Sequence, residues 1–249
     1  MSPAAAGIFR LALRRHFRRT HPVALGIMLA VLALILLEFL RGGDSAERYL
    51  PFTVGFYSTF LVPLLAFISG GGAWRDEMKP EAADYFLLRG VSKFRYLIFR
   101  YAAHVVCAEL DFAPAVALVI VSGAMAHVPH LAAAAPVMIL GQVLAVAAYA
   151  AFGFLCAALT SRWVIVGLVY GSVVEIGLGN VPLAINQFAV SHPLRILLHS
   201  VSHNSDPSAF ALSGERWMAA AGLVLFAAGF TVAAALRFRL QEQLGEKAE

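Results

Sequence analysis

The sequence predicts an all-α membrane protein built from six transmembrane helices, and three observations carry that prediction. Apolar residues make up 60% of the 249 residues, well above the roughly 45–50% of a soluble globular domain, and mean hydropathy is +0.77. A hydrocarbon layer about 30 Å thick takes about 20 apolar helical residues to cross, and runs of that kind recur along the whole chain. Charge is scarce and gathered: of 19 basic and 15 acidic side chains, nine fall between Arg75 and Arg95, an island between two apolar runs. No stretch is left over for a separate soluble domain, so residues 1–249 form a single membrane domain.

In order, residues 1–21 interleave Ile8, Phe9, Leu11 and Leu13 with Arg10, Arg14, Arg15, Arg18 and Arg19. That pattern fits an amphipathic helix on an anionic leaflet or a basic flank that orients the next span. The first span is 22–40. Its basic flank and apolar run look like parts of a signal peptide, but the run is too long and Leu40-Arg41-Gly42-Gly43-Asp44 has no small-x-small cleavage site, which predicts a retained span. The second span is 52–73, followed by the charged loop 74–95. The third, 101–126, carries Glu109 and Asp111 in its middle, and the fourth is 131–159. The fifth, 163–178, is short and ends near Glu175. Residues 179–216 hold apolar pieces at 181–190 and 193–198, too short to cross and too apolar for a plain loop, so a re-entrant or surface-lying pair of short helices is expected. The last span is 217–236.

Basic residues set the orientation. With the N-terminus cytoplasmic, Arg10, Arg14, Arg15, Arg18, Arg19, Arg75, Lys79, Arg89, Lys93, Arg95, Arg162, Arg237, Arg239 and Lys247 lie inside, and Arg41, Arg48, Arg195 and Arg216 lie outside. Both termini are therefore expected in the cytoplasm. The same asymmetry accounts for the net charge of +4 with no nucleic-acid partner. Cys107 and Cys156 both sit inside apolar runs, which argues for buried thiols rather than a disulfide framework.

Ionisable groups inside spans are functional candidates by default. Arg100, His104, Cys107 and Asp111 recur at helical spacing and share a face, whereas Glu109 lies on another. Glu109 and Asp111 either line a substrate path or proton relay, or act as hydrogen-bonded glue between helices. Glu175, near Asn180, Asn186 and Gln187, either lines an outer exit or caps the turn at 177–182. His192, His199 and His203 share a helical spacing and are weak candidates for a metal, since Pro193 interrupts the run. No His-Glu-x-x-His or Gly-x-Ser-x-Gly motif occurs.

Six spans, two inside ends, an amphipathic start and this first loop resemble the permease subunit of ABC type 2 exporters. Members of that family often read an acidic residue, Gly-Thr, Leu-Leu, then Arg-Pro-Val-Ser-Arg. Here Glu77 lies 12 residues before Arg89, Leu87-Leu88 stands in place, and Arg89-Gly90-Val91-Ser92-Lys93 fills the last motif. Glu81-Ala82 replaces Gly-Thr and Gly90 replaces the proline. Glu175 followed by Leu178-Gly179-Asn180-Val181-Pro182 looks like the family's fifth span and re-entrant turn.

The resemblance implies a bacterial inner-membrane half-transporter: a cytoplasmic coupling helix in 74–95 docks on an ATPase subunit, and two permeases, identical or paralogous, work with two ATPases. Glu77, Glu81, Phe86, Leu87, Leu88, Arg89 and Lys93 would form the ATPase-coupling face, and Glu109, Asp111, Tyr170, Glu175 and Asn180 the substrate path. The sequence agrees in one respect: no Gly-x-x-x-x-Gly-Lys-Ser/Thr loop occurs, so no cofactor is expected on this chain and ATP with Mg would belong to the partner. Pro80 suits a first helical turn, and Phe86, Leu87 and Val91 offer an apolar face ringed by Arg89, Lys93 and Arg95. That face serves docking, or it anchors the loop on membrane lipid, against which Asp76, Glu77, Glu81 and Asp84 would be repelled. An ion-coupled secondary transporter using Glu109 and Asp111 is the alternative reading.

Overall fold

The computed structural model describes residues 7, 10, 21–41, 45–77, 93–177, 189–202 and 213–245. Among them every regular element is helical. Four stretches, Arg48–Asp76, Phe94–Met125, Leu131–Leu159 and Gly214–Phe238, are long and apolar enough to cross a membrane, which makes the chain a multi-pass membrane protein. The elements are α1 (His21–Arg41), α2 (Ser45–Phe52), a π-helical stretch Thr53–Leu61 that leads into α3 (Val62–Glu77), α4 (Lys93–Met125), α5 (Leu131–Leu159), α6 (Trp163–Tyr170) with a second π-helical stretch Gly171–Gly177, α7 (Ser191–Ser202) and α8 (Gly214–Gly245).

Helix α5 is the hub, packed along α3 on one side and α8 on another. Its composition explains why. In lipid no hydrophobic effect pulls helices together, so small residues that allow close backbone approach do the work, and α5 buries Ala145, Ala148, Ala150, Ala151 and Gly153. At the α3–α5 seam the backbones touch. A Cβ placed on Gly70 would lie 2.3 Å from the Ala150 carbonyl oxygen, and one on Gly153 would lie 2.2 Å from that of Phe67.

The second span is one rod with a phase break. Its buried stripe runs Tyr49, Thr53, Tyr57, then Val62, Ala66, Gly70, Trp74: steps of four except one step of five. The step falls where Val62 N–H donates to Tyr57 O, a π turn holding one residue more than an α turn. Tyr49 fixes the upper half by donating to Val119 O at 2.6 Å on α4, with Ser122 Oγ also 2.6 Å away.

At one end of the bundle Trp74 sits edge-on to Phe154 and Phe238, both at 5.8 Å, uniting α3, α5 and α8. Arg75 Nη2 donates to Thr160 O at 2.8 Å, closing the last turn of α5. The tight α4–α5 connection at the other end places His127 and His130 at φ of 54° and 58°, left-handed conformations that histidine tolerates better than branched residues do.

Several predicted boundaries moved. The third span was expected at 101–126, but α4 starts at Lys93, two turns earlier. Arg95 and Arg100 ended the hydropathy signal without ending the helix, since charged side chains are accommodated in terminal helical turns. The expected span 217–236 is likewise the middle of α8. The fourth matches its expected ends, and α1 matches 22–40 within one residue at each end. The expected amphipathic helix 1–21 lies outside the described residues apart from Gly7, Arg10 and His21, all three helical.

Candidate functional site

Helix α6 buries none of its side chains. With its π-helical extension it runs from Trp163 to Gly177, about 20 Å by helical rise, short of a full hydrocarbon crossing. Glu175 therefore lies about 18 Å along the helix from its Trp163 end. Its carboxylate is fully engaged. Oε1 accepts Val190 N–H at 3.1 Å and Oε2 accepts Ser191 N–H at 3.0 Å. These are donors at the start of α7, so a negative charge sits on the positive end of a buried helix. Capping was one of the two readings of Glu175; the cap described here is on α7, and 178–182 of the turn named for it lie outside the described residues.

Helix α7 lies within the protein rather than on its surface: Leu194, Leu197, Leu198 and Val201 are all fully buried. It packs against α5, α8 and the first π stretch. Gly141 of α5 admits the Leu198 side chain, which a Cβ there would meet at 2.9 Å.

Beside Glu175 opens a cavity of about 200 Å³. One wall is Phe60, Pro63, Leu64, Phe67 and Ile68 from the second span; another is Val164, Gly167 and Leu168 from α6. Phe67 is the pivot of these walls, 5.4 Å from both Phe152 and Trp163 ring centroids. The far end is polar: Tyr149, Tyr170, Glu175, Ser191 and Arg195 all line it. Ser191 is only 2% exposed, and its Oγ is buried with no hydrogen-bond partner. Both π-helical stretches contribute lining residues, Thr59 and Phe60 from one and Gly171, Ser172 and Glu175 from the other. Such turns are rare and occur frequently at functional sites.

A second polar group lies apart from this cavity. Tyr57 OH donates to Gln142 Oε1, joining the second and fourth spans, and Glu109 of the third lies close to Gln142. Glu109 Oε1 is buried without a partner. The expected face of α4 is present too: Arg100 and Asp111 both lie within electrostatic reach of the buried Cys107, and His104 Nε2 is 3.5 Å from Ser69 Oγ.

The five residues expected to share a substrate path are thus divided. Tyr170 and Glu175 line the cavity, Glu109 and Asp111 do not, and Asn180 lies outside the described residues. Of the expected coupling residues, Glu77 ends α3 and Lys93 begins α4, while Glu81, Phe86, Leu87, Leu88 and Arg89 lie outside the described residues. His192 and His199 are on α7 and His203 is outside the described residues; among those described, no three His, Cys, Asp or Glu side chains converge on a metal position. Sequence reasoning passed over Tyr57, Gln142, Tyr149, Ser191 and Arg195. Gln142 carried a usable signal, because a lone amide in a span must find a partner.

No model of a known protein family matches this chain, and no curated protein compared with it does.

Proposed function

We propose that this chain is the membrane-spanning permease subunit of an ATP-driven ABC exporter, with six spans and both termini in the cytoplasm. The observation that supports it most is the short fifth span: a helical run from Trp163 to Gly177, too short to cross, whose Glu175 carboxylate caps the buried helix α7. A short fifth span followed by a re-entrant segment is what the family resemblance implies. Arg75, Arg95, Arg162 and Arg237 fall at the same end of the bundle as Glu77 and Lys93, the two ends of the proposed coupling loop. Clustered basic residues favour the cytoplasmic side, so that loop would face a soluble ATPase, which would bring ATP and Mg. A second permease, identical or paralogous, would cover the exposed face of α6, where Ile165, Leu168, Val169 and Val173 are all more than half exposed. Tyr170 and Glu175 would lie on the substrate path.

The test is the double substitution Phe86→Asp with Leu87→Asp in the purified complex with its ATPase. Loss of coupled ATPase activity with membrane insertion intact is expected. Unchanged coupling overturns the assignment of residues 77–93 to docking. One observation favours the second reading, an ion-coupled carrier: the orphaned Glu109 oxygen beside Gln142. Such a carrier would work without any ATPase and respond to the proton gradient.

A further inference from the structure

We propose that the cavity beside Glu175 is a binding site for a neutral, hydroxyl-headed single-chain amphiphile. Its size sets the first limit. A cavity of about 150 Å³ holds one benzene, so about 200 Å³ takes roughly eight heavy atoms in the same proportion. That is a small head and the first few carbons, with the rest of the chain leaving through the mouth. The mouth suits a tail: Phe60, Ile68, Val164 and Leu168 line the cavity and are exposed, so the apolar wall continues to the lipid-facing surface.

The inner end sets the second limit. Ser191 belongs to the lining, and its Oγ is buried without a partner. A hydroxyl placed so deep either costs stability or waits for a ligand group to bond it. Charge is already balanced at that end. Glu175 spends both oxygens on the α7 N-terminus, whose dipole opposes its charge, and Arg195 supplies a cation to the same lining. An anionic head would face the Glu175 carboxylate and a cationic head would face Arg195, each inside the membrane where unbalanced charge is most costly. A hydroxyl head can both donate and accept, which matches a lining that holds a serine and two tyrosines. Gly171 lines the cavity, and a Cβ there would meet nothing within 4 Å, so a larger side chain has room at that position.

This site is independent of the transport reading, because binding requires no ATPase. The experiment uses the full chain in phosphatidylcholine nanodiscs with Trp74→Phe and Trp217→Phe, leaving Trp163 as the sole indole, next to the Phe67 wall. The probe is dibromostearoyl glycerol, whose bromines quench a nearby indole. Saturable quenching that unbrominated monoacylglycerol reverses is expected. Gly171→Phe should abolish the saturable part by filling the cavity. Ser191→Ala should weaken binding about three- to tenfold, the worth of one hydrogen bond, without lowering the melting temperature, since that oxygen has no bond to lose. Dibromostearate, with its anionic head, should bind at least tenfold more weakly. Quenching that rises linearly with probe in the parent and in Gly171→Phe alike overturns the site. Unchanged affinity in Ser191→Ala, or equal binding of the anion, overturns the assigned head group.

Discussion

Gly70→Ala should destabilise the protein far more than its size suggests, because the helices it separates are held backbone to backbone. The new Cβ would lie 2.3 Å from Ala150 O, 2.7 Å from its Cα and 2.9 Å from its carbonyl carbon. Ordinary contact begins at 3.4 Å, so α3 and α5 must part by about 1 Å, and a gap of that size forfeits a quarter to a half of each dispersion contact along the seam. No side-chain rotamer can relieve the clash, since every atom met is main chain. Overpacking of this kind costs about 3 kcal/mol at the upper end of its range, and alanine's better helix propensity returns about 1 kcal/mol. The net loss of about 2 kcal/mol corresponds to a fall in melting temperature of roughly 4–8 °C for a chain of this length. Gly72→Ala is the internal control, because a Cβ there meets nothing within 4 Å. It should gain up to about 1 kcal/mol. The assay is residual monodisperse protein after heating in detergent, read by fluorescence-detected size exclusion. The close approach of α3 and α5 is refuted if the two variants melt together.

Other perturbations probe the remaining contacts. Gly153→Ala meets Phe67 O at 2.2 Å, and the double variant with Gly70→Ala should lose less than the sum of the two, since a seam already opened is not opened twice. Glu175→Ala removes the cap of α7 and should cost about 0.5–2 kcal/mol by the same heating assay; Glu175→Gln, which keeps one acceptor, should cost less. Gln142→Leu leaves the buried Tyr57 hydroxyl without its partner and should cost about 1–3 kcal/mol, whereas Gln142→Leu with Tyr57→Phe should recover most of it. Failure of that recovery would show that Gln142 acts chiefly through Glu109.

The parts of this molecule legible in its sequence are those written locally. Leu131–Leu159 was readable to the residue because turn-forming His-Val-Pro-His precedes it and Thr-Ser-Arg follows, so composition and helix ended together. Lys93–Met125 was misjudged at its start because hydropathy measures side chains while the helix is a property of the backbone, and arginines are good helix formers. The face shared by Arg100, His104, Cys107 and Asp111 followed from spacing alone. What escaped depended on distant partners: Tyr57 and Gln142 are 85 residues apart, and Glu175 is capped onto Val190 and Ser191 across residues 15 and 16 positions away. Neither π stretch has a compositional mark, since Thr-Val-Gly-Phe-Tyr-Ser-Thr-Phe-Leu reads as any apolar helix. The cavity was invisible for the same reason, being made of four segments that no window of sequence contains.

The single step of five between Tyr57 and Val62 gives the second span an uneven tolerance for changes in length. Every other interval in its stripe is used fully, so deleting one residue between 63 and 73 would turn Gly70 or Trp74 away from α5 and open the seam. Deleting one residue from 58–61 would instead convert the wide turn to an ordinary one and leave both halves facing the neighbours they face now. The change would be felt at Thr59 and Phe60, which line the cavity. The extra residue thus shapes the chamber while the rod itself could do without it.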